Sequence, residues 1–304
     1  MSDYLGLLDG MVRAGLDGLG PRFHDAQLAR VLPMQHSDGA FPAPGGSPDL
    51  YYTDFGVRLL ALLDAPTAAF TDVAAYLASL PCPRDLVEVF SLLNCRRVME
   101  PRGVSSPLDQ AGLLAVIESQ RSAPGGYGRS TDGAATAYAT FLAGLCLAML
   151  EQPIPDQAEA VAAVAGLQRP DGGFALDAEG SSQTNATAAA LAFVIQEDSL
   201  TDTPRQRAVA FLVSQQCGDG GFRAHPTAPA ADLLSTFTAL CSLIFAGDPR
   251  ACDLVALAGF VRRCADGRGG FAAAPGSAEV DIEYLFYGLA TLALLQWIVQ
   301  VSEA

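Results

Sequence analysis

The chain has 304 residues; half are hydrophobic, 17% are charged, and 33 acidic side chains against 18 basic ones give a formal net charge of −15. A chain this apolar, with a mean hydropathy of +0.27, folds rather than staying disordered. Its acidity excludes a basic face for nucleic acid or for an anionic membrane surface.

The N-terminal MSDYLGLLDG carries early acids and no basic region, so no signal peptide is predicted. Residues 3–18 read as a helix ahead of a repeat. The repeat begins with the Gly-containing turn MQHSDGAFPA (34–43) and returns as SQRSAPGGYG (119–128), LQRPDGGFAL (167–176), QQCGDGGFRA (215–224) and RCADGRGGFA (263–272). The turn aromatics fall at 41, 127, 174, 222 and 271, so the later spacings are 47, 48 and 49 and the first is 86, or twice 43. A degenerate turn is therefore predicted at PCPRD (81–85), which completes six units of 43 to 49 residues.

Each unit reads as helix, turn, helix. In the fourth, PDQAEAVAAVAGLQ (155–168) has helical apolar spacing. RPDGGF then breaks the helix, because Gly-Gly costs entropy inside one and accepts positive φ. TNATAAALAFVIQ (184–196) follows, apolar almost all round. Likewise RQRAVAFLVSQQ (205–216) is amphipathic, whereas LFYGLATLALLQW (285–297) is apolar on every face. Helices of the second kind must be buried. One amphipathic and one buried helix per unit predicts two concentric rings: an all-α (α/α)6 toroid, with 1–304 as a single domain. No apolar run reaches ~18 residues without a polar break, so no transmembrane segment is predicted, and 284–298 reads as a core helix. The seven cysteines form no CxxC and sit mostly in apolar runs, as expected of small buried hydrophobes in a reducing, cytoplasmic setting.

The second helices would open toward one rim at their N-terminal ends. Polar residues cluster there: Asp49 to Asp54, Asp132, Thr184, Asn185, Asp232 and Asp281 to Tyr284. Aromatics follow a turn or two later: Tyr51, Tyr52, Phe55, Tyr138, Phe141, Phe193, Phe237, Phe286 and Tyr287. They suit either ordinary core packing or the wall of a cavity for a long apolar ligand.

The Q-x-x-DGGF turns and the helix pairs resemble the prenyltransferase and terpene-cyclase toroid superfamily over roughly residues 20–300. GGFAAAPGSAEVDIEYLFYGLATLALL (269–295) and ADLLSTFTALCSL (231–243) are most similar to the last two inner helices of protein prenyltransferase β subunits, especially the Rab geranylgeranyltransferase type. The resemblance implies a central funnel for an isoprenoid diphosphate and an α-type subunit or other protein partner. It also implies a zinc held by an Asp-x-Cys opening the fifth inner helix and a His opening the sixth. Asp232 matches the Asp, but Leu234 stands for the Cys and Tyr284 for the His. One carboxylate beside Leu and Tyr does not make a tetrahedral zinc site, so no zinc is expected. The family's diphosphate-binding His, Arg and Lys fall near Gln183, at His225 and on the small residues of 226–231, with Arg223 and Arg129 as substitutes in equivalent loops. Magnesium would enter only with a bound diphosphate.

The other branch, the class II terpene cyclases, implies proton donation from a DxDD motif, which is absent here. The nearest echo, Asp281-Ile282-Glu283-Tyr284, puts Glu283 at the acid's position, as proton donor or as helix cap. Asp177, Glu179, Asp49 and Asp54 are further acidic candidates. Three readings follow: a zinc-free prenyltransferase-like enzyme, a cyclase-like enzyme using a carboxylic acid, or a non-enzymatic toroid binding a lipid or a protein. The candidate catalytic residues are Asp232, Glu283, Asp281 and Tyr284. The candidate isoprenoid-binding residues are Tyr51, Tyr52, Phe55, Tyr138, Phe141, Gln183, His225, Phe237, Phe286 and Tyr287. HExxH, G-x-S-x-G and GK[ST] do not occur, which closes the zincin, α/β-hydrolase and P-loop alternatives.

Overall fold

The DGGF turns recur because one set of side chains holds both of them. The computed structural model describes residues 4–123, 125–131, 133–196, 202–278 and 280–303. The Gln that opens a turn uses its amide twice. Gln168 Nε2 donates to the carbonyls of Gly172 (3.0 Å) and Pro204 (2.9 Å), and Gln216 Nε2 to those of Gly220 (3.1 Å) and Asp253 (2.9 Å). Each turn is thereby tied to the start of the next outer helix. The turn Asp accepts from a glycine amide two residues on, Gly173 for Asp171 and Gly221 for Asp219. Gly220 lies at φ 92°, and a Cβ there would overlap the Ala256 carbonyl, so both backbone freedom and close approach require glycine. The buried aromatic then gives its amide to a threonine of its own inner helix: Phe41 to Thr53 (2.9 Å), Tyr127 to Thr140 (3.0 Å), Phe174 to Thr187 (2.8 Å) and Phe222 to Thr236 (2.9 Å).

Six helices form the inner ring: α3 (Leu50–Leu62), α5 (Leu86–Met99), α7 (Ala137–Met149), α9 (Thr184–Gln196), α11 (Leu233–Phe245) and α13 (Ile282–Glu303). Each packs on its successor, and α13 packs on α3, so the ring closes. The outer partners are α2 (Pro21–Val31), α4 (Thr67–Ser79), α6 (Gln110–Ser119), α8 (Gln157–Ala165), α10 (Asp202–Ser214) and α12 (Leu254–Cys264). The degenerate unit is α4 and α5, joined by residues 80–85 as the period predicts. The all-α toroid is the observed fold. Three turns continue into two-residue antiparallel hairpins that deliver the chain to the rim: Phe41–Pro42 with Pro48–Asp49, Phe174–Ala175 with Ser182–Gln183, and Phe222–Arg223 with Ala231–Asp232. Between the sixth unit and the first an arginine replaces the glutamine tie: Arg30 donates to the Arg268 carbonyl (2.7 Å) and pairs with Asp266 (3.0 Å).

Two elements exceed the period. Helix α13 runs 22 residues, beyond 285–297, and by length and composition alone could cross a membrane. Here its apolar faces meet α1 (Tyr4–Leu19), α3, α11 and α12. The extra helix, α1 (Tyr4–Leu19), crosses the end of the ring opposite the turns. Three contacts seat it. Arg13 pairs with Asp64 beyond α3 (2.9 Å) and Asp9 with Arg97 of α5 (2.6 Å). Gly15 meets α13 so closely that a Cβ would overlap the Ala293 carbonyl.

Candidate functional site

The inner helices enclose a cavity of about 410 Å³. Tyr51 and Phe55 of α3, Tyr138 and Phe141 of α7, Phe237 of α11 and Tyr287 of α13 line it, with Gln183 at the rim. The rings of Tyr51, Phe55, Tyr287 and Phe237 form a connected chain, with Tyr51–Phe55 at 5.0 Å, Phe55–Tyr287 at 5.4 Å and Phe237–Tyr287 at 5.2 Å between centroids. Space opens on the facing wall because α9 contributes four alanines there, Ala186, Ala188, Ala189 and Ala192, besides Asn185 at its start. Phe286 and Phe193 are fully buried core residues; Phe286 packs behind Phe55 and Phe237, with the Arg58 guanidinium 3.9 Å from its ring. Tyr52 stacks edge-on against Tyr51 outside the cavity wall.

The rim carries most of the acids singled out from the sequence. Asp49, Asp232 and Asp281 cap α3, α11 and α13, accepting from the amides of Tyr52 (3.1 Å), Ser235 (2.7 Å) and Tyr284 (2.9 Å). Asp232 also accepts from the Ser235 hydroxyl (2.8 Å); burial raises its carboxyl while Ser235 opposes the rise. Glu283 accepts from the Tyr51 hydroxyl (2.7 Å), and burial raises its carboxyl too, against that bond. His225 lies in a loop and does not line the cavity; its Nδ1 stands 3.0 Å from Thr227 Oγ1. Arg223 bonds back to Gln215 (3.2 Å), whereas Arg129 lines the cavity. Asp177 accepts from the Glu179 and Gly180 amides in its own loop. Asp132 lies outside the described residues.

The three positions at which the resemblance implies zinc do not fit that ion. Asp232 is engaged by Ser235, Leu234 presents an aliphatic chain to the cavity, and Tyr284 is a phenol at the start of α13. Among the described residues no three His, Cys, Asp or Glu side chains stand close enough to hold a metal.

The deep wall carries a different acid. Asp54, on the second turn of α3, is 3% exposed and lines the cavity together with Arg58 one turn further on. Asn94 of α5 donates to Asp54 Oδ1 at 2.6 Å. The orientation of that amide is fixed, because Arg97 Nε, which can only donate, meets Asn94 Oδ1 at 2.8 Å. Arg97 is anchored in turn by Asp9, which also stands 3.9 Å from Arg58. Burial pushes the Asp54 carboxyl up to about 6, against the pull of Arg58, Asn94 and Arg97. A carboxylic acid of this kind can carry a proton near neutrality and deliver it into an apolar space.

Sequence reading named Asp54 among the further acids but passed over Asn94, Arg97 and Asp9. A signal existed. Asp54 and Arg58 stand four residues apart inside a helix that otherwise repeats as apolar, and Asn94 is wholly buried in another such helix. Polar residues in mid-helix of a buried ring need partners, and here they partner one another.

A family model described as the prenyltransferase alpha-alpha toroid domain matches residues 83–195 and 187–304. Among solved structures, the chain is similar to the type II terpene cyclase MstE from Scytonema in its apo form, at 14% identity and a TM-score of 0.63, covering 92% of this chain and 98% of that one. A variant of that cyclase in complex with geranylgeranyl dihydroxybenzoate as substrate gives 13% identity and a TM-score of 0.64, covering 94% and 99%. Candida albicans protein geranylgeranyltransferase-I complexed with GGPP gives 18% identity and a TM-score of 0.56, covering 70% of each chain. A search of curated protein sequences gives no match.

Proposed function

The chain belongs to the prenyltransferase alpha-alpha toroid family, and from that premise we propose that it is an isoprenoid cyclase of the acid-initiated kind, with Asp54 as the proton donor. One observation carries the reading: a buried carboxylic acid, held at one oxygen, lies in the wall of a cavity lined by aromatic and aliphatic side chains. The neighbouring folds include a cyclase bound to a geranylgeranylated substrate, which supports a ligand of that class.

The chemistry follows from the geometry. Asn94 occupies Oδ1, so the proton of the neutral acid sits on Oδ2. It passes to the less substituted carbon of an alkene, whose π pair forms the new C–H bond and leaves a tertiary cation. Asp54 is left as a carboxylate, its charge borne by Asn94 and by Arg58. The faces of Phe55, Phe237 and Tyr287 stabilise the cation while the next alkene's π pair closes a ring. Loss of a proton from a neighbouring carbon to water ends the sequence, and Asp54 regains a proton from solvent, so the net reaction is an isomerisation.

A second reading, zinc-free prenyl transfer from a diphosphate to an acceptor, rests on Arg129, the cavity-lining cation nearer the turns than Arg58. Incubation with geranylgeranyl dihydroxybenzoate and with geranylgeranyl diphosphate, followed by mass spectrometry, separates the two. The cyclase reading expects a cyclic isomer of unchanged mass from the native protein and none from Asp54→Asn. Unchanged linear substrate from the native protein, or undiminished cyclisation by Asp54→Asn, refutes it. Release of diphosphate with formation of an acceptor adduct establishes transfer instead.

A further inference from the structure

The helix that lies outside the six-pair repeat also forms part of the cavity. Tyr4, Leu5 and Leu8 of α1 line its floor, at the end opposite the turns. The Tyr4 ring is wedged between Phe141 of α7, 5.5 Å away and edge-on, and Phe245 at the end of α11, 4.4 Å away. Below this turn lies a second cavity of about 540 Å³, lined on one side by Leu93, Leu108, Ala148 and Met149 and on the other by the charged Arg96, Arg97 and Glu100. Leu5 and Leu145 line both cavities, so a single layer of side chains stands between them. Leu8 lines the central cavity and not the second.

We propose that the first turn of α1, through Leu5 with Tyr4 beside it and Leu145 facing it, is the partition that sets the length of isoprenoid the protein accepts. The inference rests on the reading of the central cavity as an isoprenoid site. Three features make the turn a fixed wall. The Asp9–Arg97 and Arg13–Asp64 pairs lock α1 to α5 and α3. The glycine crossing at Ala293 fixes its height against α13. The Tyr4 ring fills the gap between α7 and α11. A chain that fills the central cavity meets this wall, while the aliphatic side of the room beyond, Leu93, Leu108, Ala148 and Met149, would accept further isoprene units if the wall were opened. Burying those units adds apolar contact in proportion to length.

The test is a binding series with geraniol, farnesol, geranylgeraniol and geranylfarnesol, read by native mass spectrometry or by displacement of a fluorescent prenyl analogue. In the native protein affinity should rise along the series to one member and then fall. Leu5→Ala should move the optimum at least one member longer and raise affinity for the longest alcohol at least tenfold. Leu145→Ala, which opens the same wall from α7, should do likewise and serves if Leu5→Ala does not fold. Leu16→Ala removes as many atoms from the buried face of α1 without touching either cavity, and should leave the optimum unmoved. An unchanged series in folded Leu5→Ala or Leu145→Ala overturns the inference and spares the isoprenoid reading. A shift in Leu16→Ala equal to theirs also overturns it, since loosening α1 alone would then suffice. If the native protein binds none of the four, the isoprenoid reading itself falls, and the inference with it.

Discussion

Replacing Asp54 by Asn should make the protein more stable and less active, with a gap in stability that depends on pH. The carboxyl is raised from its ordinary 3.8 to about 6, chiefly by burial. Between those values the folded state holds a proton that the unfolded chain has released, so native stability declines as pH rises through that window. Two units at 1.36 kcal/mol each amount to about 3 kcal/mol by pH 7. Asn mimics the neutral acid, and its side-chain carbonyl can still accept from Asn94. The variant should therefore match the native protein near pH 4 and exceed it by about 3 kcal/mol above pH 7, which is on the order of 5–10 °C in Tm. Urea or thermal denaturation at pH 4, 5, 6, 7 and 8 reads the gap directly. A variant less stable than native at pH 8, or a gap that does not change with pH, would falsify the description of Asp54 as an acid held against its solvation. Loss of turnover with gain of stability is the signature of a residue kept for chemistry.

The other expectations are more local. Because Asn94 lowers the Asp54 carboxyl, Asn94→Leu should move the alkaline limb of the rate profile from about 6 to higher pH, and an unmoved limb would sever the two residues. Gly15→Ala drives a methyl into the Ala293 carbonyl and should destabilise by roughly 1–3 kcal/mol as α1 lifts, measured by denaturant titration. Thr187→Val leaves the buried Phe174 amide without its acceptor and should cost roughly 1–3 kcal/mol, whereas a change near zero would mean the hydroxyl is dispensable to the turn. Arg129→Ala should weaken binding of geranylgeranyl diphosphate more than of geranylgeraniol, while Arg223→Ala and His225→Ala should weaken neither, as isothermal titration would reveal.

The ring was legible because its determinants are local and repeated. In the two DGGF turns at 167–176 and 215–224 a Gln, an Asp, two glycines and an aromatic stand at the same spacing and make the same bonds. The inner helices follow from their apolarity on all sides. The cavity wall was half legible: Tyr51, Phe55, Tyr138, Phe141, Phe237 and Tyr287 point inward as their place after the turns implies. Phe286 follows the same rule and points the other way, because adjacent residues on a helix diverge by about a hundred degrees and Tyr287 takes the inward position. What escaped were features with no repeat to expose them. Asn94 lies in the one unit whose turn has degenerated. Tyr4 and Asp9 belong to a helix outside the period, and their partners sit on α3, α5, α7 and α11.

The handover from turn to outer helix at the seam of the ring has a consequence for how the molecule comes apart. Linear repeat arrays unravel from their ends and need capping units there. Here α13 packs on α3, and Arg30 ties the sixth turn to the first outer helix through Arg268 and Asp266, so the ring has no loose end at that seam. Weakening that seam, as in Arg30→Ala, would restore one: the circle would become a strip, free to fray from its two termini before the remainder lets go.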